Sequence, residues 1–166
     1  MDNIEIIELR QCMEYCETII DWLYSEWGDN NKLFWAGWVN SSLNSSDVPK
    51  TYTLFLNGKL AGTYSLWRCD LQSCQNLFPW FGGLFVAEEF RGKIYNGKKL
   101  GEYMQQHAIN ELRTMNYREA YLFTEKSPDY YVRNGWEYLY TAPDEKDRFV
   151  TVCKLNVPGV NNEEKN

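Results

Sequence analysis

The chain has 166 residues, enough for one domain with a full core and no need of a disulfide or metal staple. Its net charge of −6 argues against non-specific nucleic-acid binding, and its 16% aromatic content excludes a disordered chain. No apolar run approaches the roughly 18 residues of a membrane span. Met1 to Arg10 carries Asp2, Glu5 and Glu8 where a secretory leader needs basic residues and an apolar core, so a cytoplasmic protein is expected.

In chain order, Ile4 to Leu9 reads as a first strand. Cys12, Cys16, Ile19, Ile20, Leu23 and Trp27 follow a helical period, which Gly28-Asp29-Asn30 ends. A second helix is expected over about Lys32 to Leu43. Asn57-Gly58 between the apolar runs Thr51–Leu56 and Lys59–Arg68 predicts a hairpin. Leu77 to Val86 is a third strand-like run, and Gly82-Gly83 inside it suggests a bulge or a close backbone approach. Leu100, Tyr103, Met104, His107, Ala108, Leu112 and Met115 form a helical stripe. Ala120 to Thr124 is a short strand. Ser127 to Asn134 is a short helix with Ser127 as N-cap and Pro128 at its first position. Trp136–Tyr140 and Phe149–Leu155 complete a mixed α/β domain over 1–155, followed by a polar tail over 156–166.

The five cysteines are odd in number and fit reduced thiols. With His107 the only histidine, no zinc-ligand spacing exists and no metal is expected. Arg91, Lys93, Lys98 and Lys99 gather four positive charges near a helix start, a place that ordinarily prefers acids, and so predict an anion site. Gly92 to Lys98 has the spacing of a phosphate-binding loop of nucleotide triphosphatases. Lys99 stands where the magnesium-binding hydroxyl belongs, which argues against that reading. Glycine amides, a helix N-terminus and lysines still suit a pyrophosphate bound without metal.

The segment Leu84-Phe-Val86-Ala-Glu-Glu-Phe-Arg91-Gly92-Lys-Ile-Tyr-Asn-Gly97-Lys-Lys-Leu100 resembles the strand-four to helix-three motif of the GNAT superfamily of acetyl-CoA-dependent N-acetyltransferases. Tyr130-Tyr131-Val-Arg-Asn-Gly135-Trp136-Glu137 is similar to a second segment of that family. The loop departs from the family's Arg-x-x-Gly-x-Gly by one inserted residue and one missing glycine. The resemblance implies a single-domain α/β fold, with a mostly antiparallel central sheet splayed at strand four and about four flanking helices.

It also implies roles. Leu84, Phe85 and Val86 would offer backbone amides to the pantetheine arm and thioester carbonyl of acetyl-CoA, the cosubstrate. Arg91, Gly92, Lys93, Gly97, Lys98 and Lys99 would cradle its pyrophosphate. Tyr131 would be the general acid, since a phenol of pKa about 10 can protonate a thiolate whose conjugate pKa is about 8.5.

The base is open between Glu26 and Glu125, because the strand-four run holds no acid between Asp70 and Glu88. His107 is read as packed. Near the first two helices, Trp22 and Trp35 are read as core. Trp27 and Trp38, with Glu26 and Asp29 beside them, would form an aromatic, acidic wall for a cationic amine. The expected activity is direct acetyl transfer to a small-molecule amine in a ternary complex. A protein or peptide N-terminal acetyltransferase and a non-catalytic acyl-CoA-binding module are the alternatives. No nucleic-acid or membrane partner is expected, and exposed aromatics on the terminal strands would suit a homodimer.

Overall fold

Asn57 and Gly58 both take left-handed φ values, 50° and 79°, and turn the chain tightly between β2 (Lys50–Leu56) and β3 (Lys59–Trp67). This hairpin forms the second and third strands of the sheet. The structure, a computed structural model, describes residues 1–28 and 31–160. The other elements are β1 (Ile4–Glu8), α1 (Cys16–Trp27), α2 (Lys32–Ser41), β4 (Trp80–Val86), α3 (Leu100–Thr114), β5 (Glu119–Thr124), α4 (Pro128–Arg133), β6 (Glu137–Pro143) and β7 (Phe149–Asn156).

The strands form one sheet in the order β1-β2-β3-β4-β5-β7-β6, antiparallel throughout except where β4 meets β5. Every residue of β2 is buried, because helices cover both faces of the sheet. Leu100, Met104, Ala108 and Leu112 recur at helical spacing and seat α3 against Tyr52, Leu54, Tyr64, Leu66 and Phe81. Full burial of a side chain of Leu size contributes about 1.5–3 kcal/mol. On the opposite face, Ile19, Ile20 and Leu23 of α1 pack with Val39 of α2, Leu9 and Phe55. Toward the far end of that face, Trp67, Trp80, Tyr121, Val150 and Val152 form a third cluster, against which Trp38 rests.

Several boundaries differ from the sequence expectation. The first helix begins at Cys16 rather than Cys12. Cys12 adopts φ −144° and ψ 55° between two short 3-10 turns, burying its thiol 3.3 Å from Thr53 Oγ1. The third strand run begins at Trp80, because Leu77 is held in a turn and its carbonyl accepts the Trp80 indole N–H at 2.7 Å. Ser127 occupies the N-cap position of α4, but its side chain caps nothing; its amide instead donates to Thr124 Oγ1 at 3.1 Å. Past β7, Val157 is buried and its N–H donates to the Arg118 carbonyl, so ordered packing continues beyond residue 155. Asp29 and residues 161–166 lie outside the described residues.

Candidate active site

The sheet opens at β4. Thr63 faces Phe85 and Ser65 faces Gly82, so Gly83 and Leu84 together oppose Tyr64 alone. This is a bulge, and Gly83 supports it with a φ of 60°. On its other side β4 pairs with β5 only at Trp80–Tyr121. From Phe81 onward that edge of β4 has no ladder partner among the described residues, and the two parallel strands part into a cleft. Leu84, Phe85 and Val86 line the open edge. The Phe85 ring stacks on Trp22 at 4.9 Å between centroids, and the Arg91 guanidinium lies 4.8 Å from its other side.

Beyond β4 the basic loop has a specific shape. Tyr95 and Lys98 exchange both backbone hydrogen bonds, at 2.8 and 3.1 Å, around Asn96 (φ 47°) and Gly97 (φ 89°). The segment is therefore a tight two-residue turn. The Asn96 side chain accepts from the Asp2 amide at 3.1 Å and donates to the Asp2 carbonyl at 2.8 Å. No ion pair among the described residues engages Lys93, Lys98 or Lys99. The Glu102 carboxylate accepts the Lys99 amide at 2.8 Å, whereas the next two amides, of Leu100 and Gly101, donate to nothing among the described residues. Gly92 and Gly97 have open space where a side chain would stand. Unpaired amides at the start of a fifteen-residue helix, three lysines outside any ion pair among the described residues (Lys98 lies 5.8 Å over the Tyr103 ring) and open glycines fit a diphosphate group. Arg91 faces the other way. Its Nε donates to the Val86 carbonyl at 2.7 Å and its Nη2 reaches Glu26 at 3.3 Å.

Tyr131 stands on α4, on the α3 side of the sheet. Its ring lies 5.1 Å from Tyr130 and 6.5 Å from Trp136. Burial, with smaller contributions from Tyr130 and Cys153, raises its pKa well above the ordinary phenol value. Its hydroxyl makes no hydrogen bond among the described residues and keeps its proton at neutral pH. Tyr130 closes against α3: its hydroxyl would stand 2.6 Å from a Cβ at Gly101, which is itself 3.9 Å from Leu84. Gln105, one turn along α3, accepts the Trp136 indole N–H on Oε1 at 3.1 Å, and its buried Nε2 has no hydrogen-bond partner among the described residues.

The remaining expected residues fall on two surfaces. Glu26 is paired with Arg91, and Glu125 is paired with Arg148 at 3.3 Å; both carboxylates are exposed. Trp27 is 43% exposed and touches Trp35, whereas Trp38 is half-buried and packs edge-on against Trp67 at 4.7 Å. A cavity of about 690 Å³ opens beside Trp38 and Trp67, with Arg68 and Cys69 on its wall. His107 is packed: its Nδ1 lies 2.7 Å from the Tyr64 hydroxyl, and burial lowers its pKa.

One carboxylate beside β4 has no local sequence signal. Asp70, in the connection after β3, lies over Gly82. A Cβ at Gly82 would come within 3.1 Å of Asp70 Cγ and 2.9 Å of Trp67 Cδ1, so only glycine leaves room for this carboxylate on β4. Desolvation, then the nearby charge of Glu145, pushes the Asp70 pKa up to about 7. The sole sequence signal is Gly82 itself, twelve residues away.

No family model and no curated protein matches the sequence. Solved structures match the fold. An aminoglycoside 6′-N-acetyltransferase complexed with coenzyme A aligns with 92% of this chain and 97% of its own, at TM-score 0.73 and 13% identity. An acetyltransferase of the GNAT family from Streptococcus pneumoniae aligns with 93% of this chain and 100% of its own, at TM-score 0.64 and 16% identity. The fold is the GNAT acetyltransferase fold. The ribosomal-protein-S18-alanine N-acetyltransferase from Escherichia coli shares it over 98% of both chains, at TM-score 0.64 and 13% identity. The mostly antiparallel sheet splayed at β4 that the sequence resemblance implied is thus present. Within this GNAT fold the cleft runs from the bulge at Gly83 to the lysine-rich start of α3.

Proposed function

We propose that the chain is an acetyl-CoA-dependent N-acetyltransferase acting on a primary amine of a small molecule. The observation that carries this reading is the splayed β4–β5 pair, whose unpaired edge leads from the Gly83 bulge to unpaired amides and lysines at α3. Such an edge can hydrogen-bond an extended amide-bearing arm as an added strand would. Lys93, Lys98, Lys99 and the amides of Leu100 and Gly101 bind the diphosphate. Donors of the β4 edge at Leu84 to Val86 hold the acyl carbonyl. Acetyl-CoA, when bound, supplies a thioester carbonyl activated for attack by an amine. Tyr131 holds a proton on its hydroxyl and delivers it to the departing sulfur. The small-molecule acceptor is favoured by the cavity beside Trp38 and Trp67, and by the aminoglycoside acetyltransferase among the similar structures.

Calorimetric titration with acetyl-CoA, followed by a thiol-release assay against a panel of aminoglycosides, polyamines and N-terminal peptides, tests the proposal. Binding with turnover on small amines is expected. Turnover on peptides alone would move the function to N-terminal acetylation, and binding without turnover on any acceptor would make the chain a binding module.

A further inference from the structure

An amine acceptor raises a proton problem that neither sequence-derived carboxylate solves. An alkylammonium of pKa about 10.4 is neutral about once in a thousand molecules at pH 7. Glu26 and Glu125 are exposed and engaged with arginines. Asp70 differs on each count. It has no hydrogen bond or ion pair among the described residues, and it is half-buried beside Trp67 and Gly82. Gly82 directly precedes the bulge glycine. Gly82 shares its face of β4 with Trp80, the face on which Trp38 of α2 packs, and Trp67, which lies against Gly82, also lines the cavity beside Trp38. Tyr131 lies on the other face, with α3 and Trp136. A carboxylate and a phenol thus flank the splayed strand from opposite sides.

We infer that Asp70 is the general base for the acceptor amine, admitted to the reaction centre by the missing side chain of Gly82. The inference rests on the acetyltransferase reading above. In the step, Asp70 Oδ2 takes a proton from the ammonium and becomes a carboxylic acid. The freed nitrogen lone pair bonds to the acyl carbon, the carbon–sulfur bond breaks, and Tyr131 gives its proton to the sulfur; the second proton that the nitrogen sheds as the amide forms returns to the Tyr131 phenolate, directly or through water. Asp70 then returns its proton to solvent.

The charged and titratable groups around it support the assignment. The charge that acts on Asp70 is the negative one of Glu145, in the turn between β6 and β7, and the Cys69 thiol stands beside it; Arg68, two residues before Asp70, lies over the Phe78 ring at 5.8 Å, and Arg148 of the same turn is engaged by Glu125 and Asp144. A carboxylate hemmed in by rings and a second acid accepts protons about a thousandfold more readily than an ordinary aspartate. The same two carboxylates attract a cation, so the site selects amines that arrive protonated.

The test compares wild type with Asp70→Asn over pH 5.5–9 on whichever amine the panel identifies. Asp70→Asn is expected to lower kcat/KM at least a hundredfold at pH 8 and to erase the loss of activity below pH 7. Its acetyl-CoA affinity should stay within twofold of wild type. Carbon-13 NMR of the wild-type carboxylates should show one aspartate titrating near pH 7, absent from the variant. Unchanged turnover, an unchanged acidic limb in the variant, or a wild-type Asp70 resonance titrating near pH 4 would each overturn the assignment while leaving the acetyltransferase reading standing. Failure of wild type on every acceptor would overturn both.

Discussion

Arg91 and Glu26 are joined across 3.3 Å, the end of α1 gripping the start of the basic loop. The same guanidinium donates to the Val86 carbonyl and covers the Phe85 ring. Glu26 is thereby a brace for the loop. An exposed pair of this kind contributes about 0–1 kcal/mol. Glu26→Gln should therefore shift Tm by no more than about 4 °C and leave kcat within threefold of wild type. Thermal melts and steady-state kinetics check this, and a hundredfold loss of kcat would make Glu26 the base in place of Asp70.

Tyr131→Phe removes one hydroxyl from a ring that keeps its contacts with Tyr130 and Trp136. Loss of a positioned acid costs about a hundredfold or more in rate. We expect kcat to fall by that amount and the acetyl-CoA Kd, measured by calorimetry, to change less than threefold.

In the proposed reading the lysines act on affinity. Replacing Lys93, Lys98 and Lys99 together by Ala removes three charges from the diphosphate end of the cleft while leaving the Asn96–Gly97 turn intact. The KM for acetyl-CoA should rise at least tenfold with kcat little changed, and the difference from wild type should shrink at high salt. A KM independent of these residues would remove the loop from cofactor binding.

Asp70 also sets a pH dependence of stability. Its folded pKa of about 7 lies above the unfolded value of about 3.9, so the folded state holds the extra proton between them. That contribution is complete below about pH 4 and is lost as pH rises through 7. Asp70→Asn removes the cost of the unpaired charge and should stabilise the protein by about 2 kcal/mol at pH 8, a discount on the full shift for partial solvent access. The gain should fade toward pH 4. Chemical denaturation at both pH values measures it, and equal stability of the two proteins at pH 8 would contradict the burial of this carboxylate.

Much of this was legible in the sequence because the signals were local. Asn57-Gly58 named its own turn, the stripe from Leu100 to Leu112 named the buried face of α3, and Gly82-Gly83 marked the irregular strand. The basic loop was legible as charge but not as shape. Asn96-Gly97 carries the same turn signal as Asn57-Gly58, but it lies inside a glycine spacing that also matches a phosphate loop. Asp70 was illegible for a different reason. Its environment is made by Trp67, Gly82 and Glu145, which come from three separate stretches of chain and converge only when the sheet forms. Ser127 shows the converse, a residue of the right type in the right place whose hydroxyl makes no cap.

The tie between Asn96 and Asp2 reaches further than the loop. Asn57 accepts the Asn3 amide at 2.8 Å and donates to the Asp2 carboxylate at 3.0 Å, so two asparagine turns distant in sequence clasp the same first residues. The strand that starts the chain and the turn that presents the lysines are one mechanical piece. If the loop binds the cofactor as proposed, substitutions at Asp2 or Asn3, or a tag fused tightly before them, should change cofactor affinity without touching any group that meets the cofactor. A search for determinants of affinity confined to glycines and lysines would pass over the residues that hold them in place.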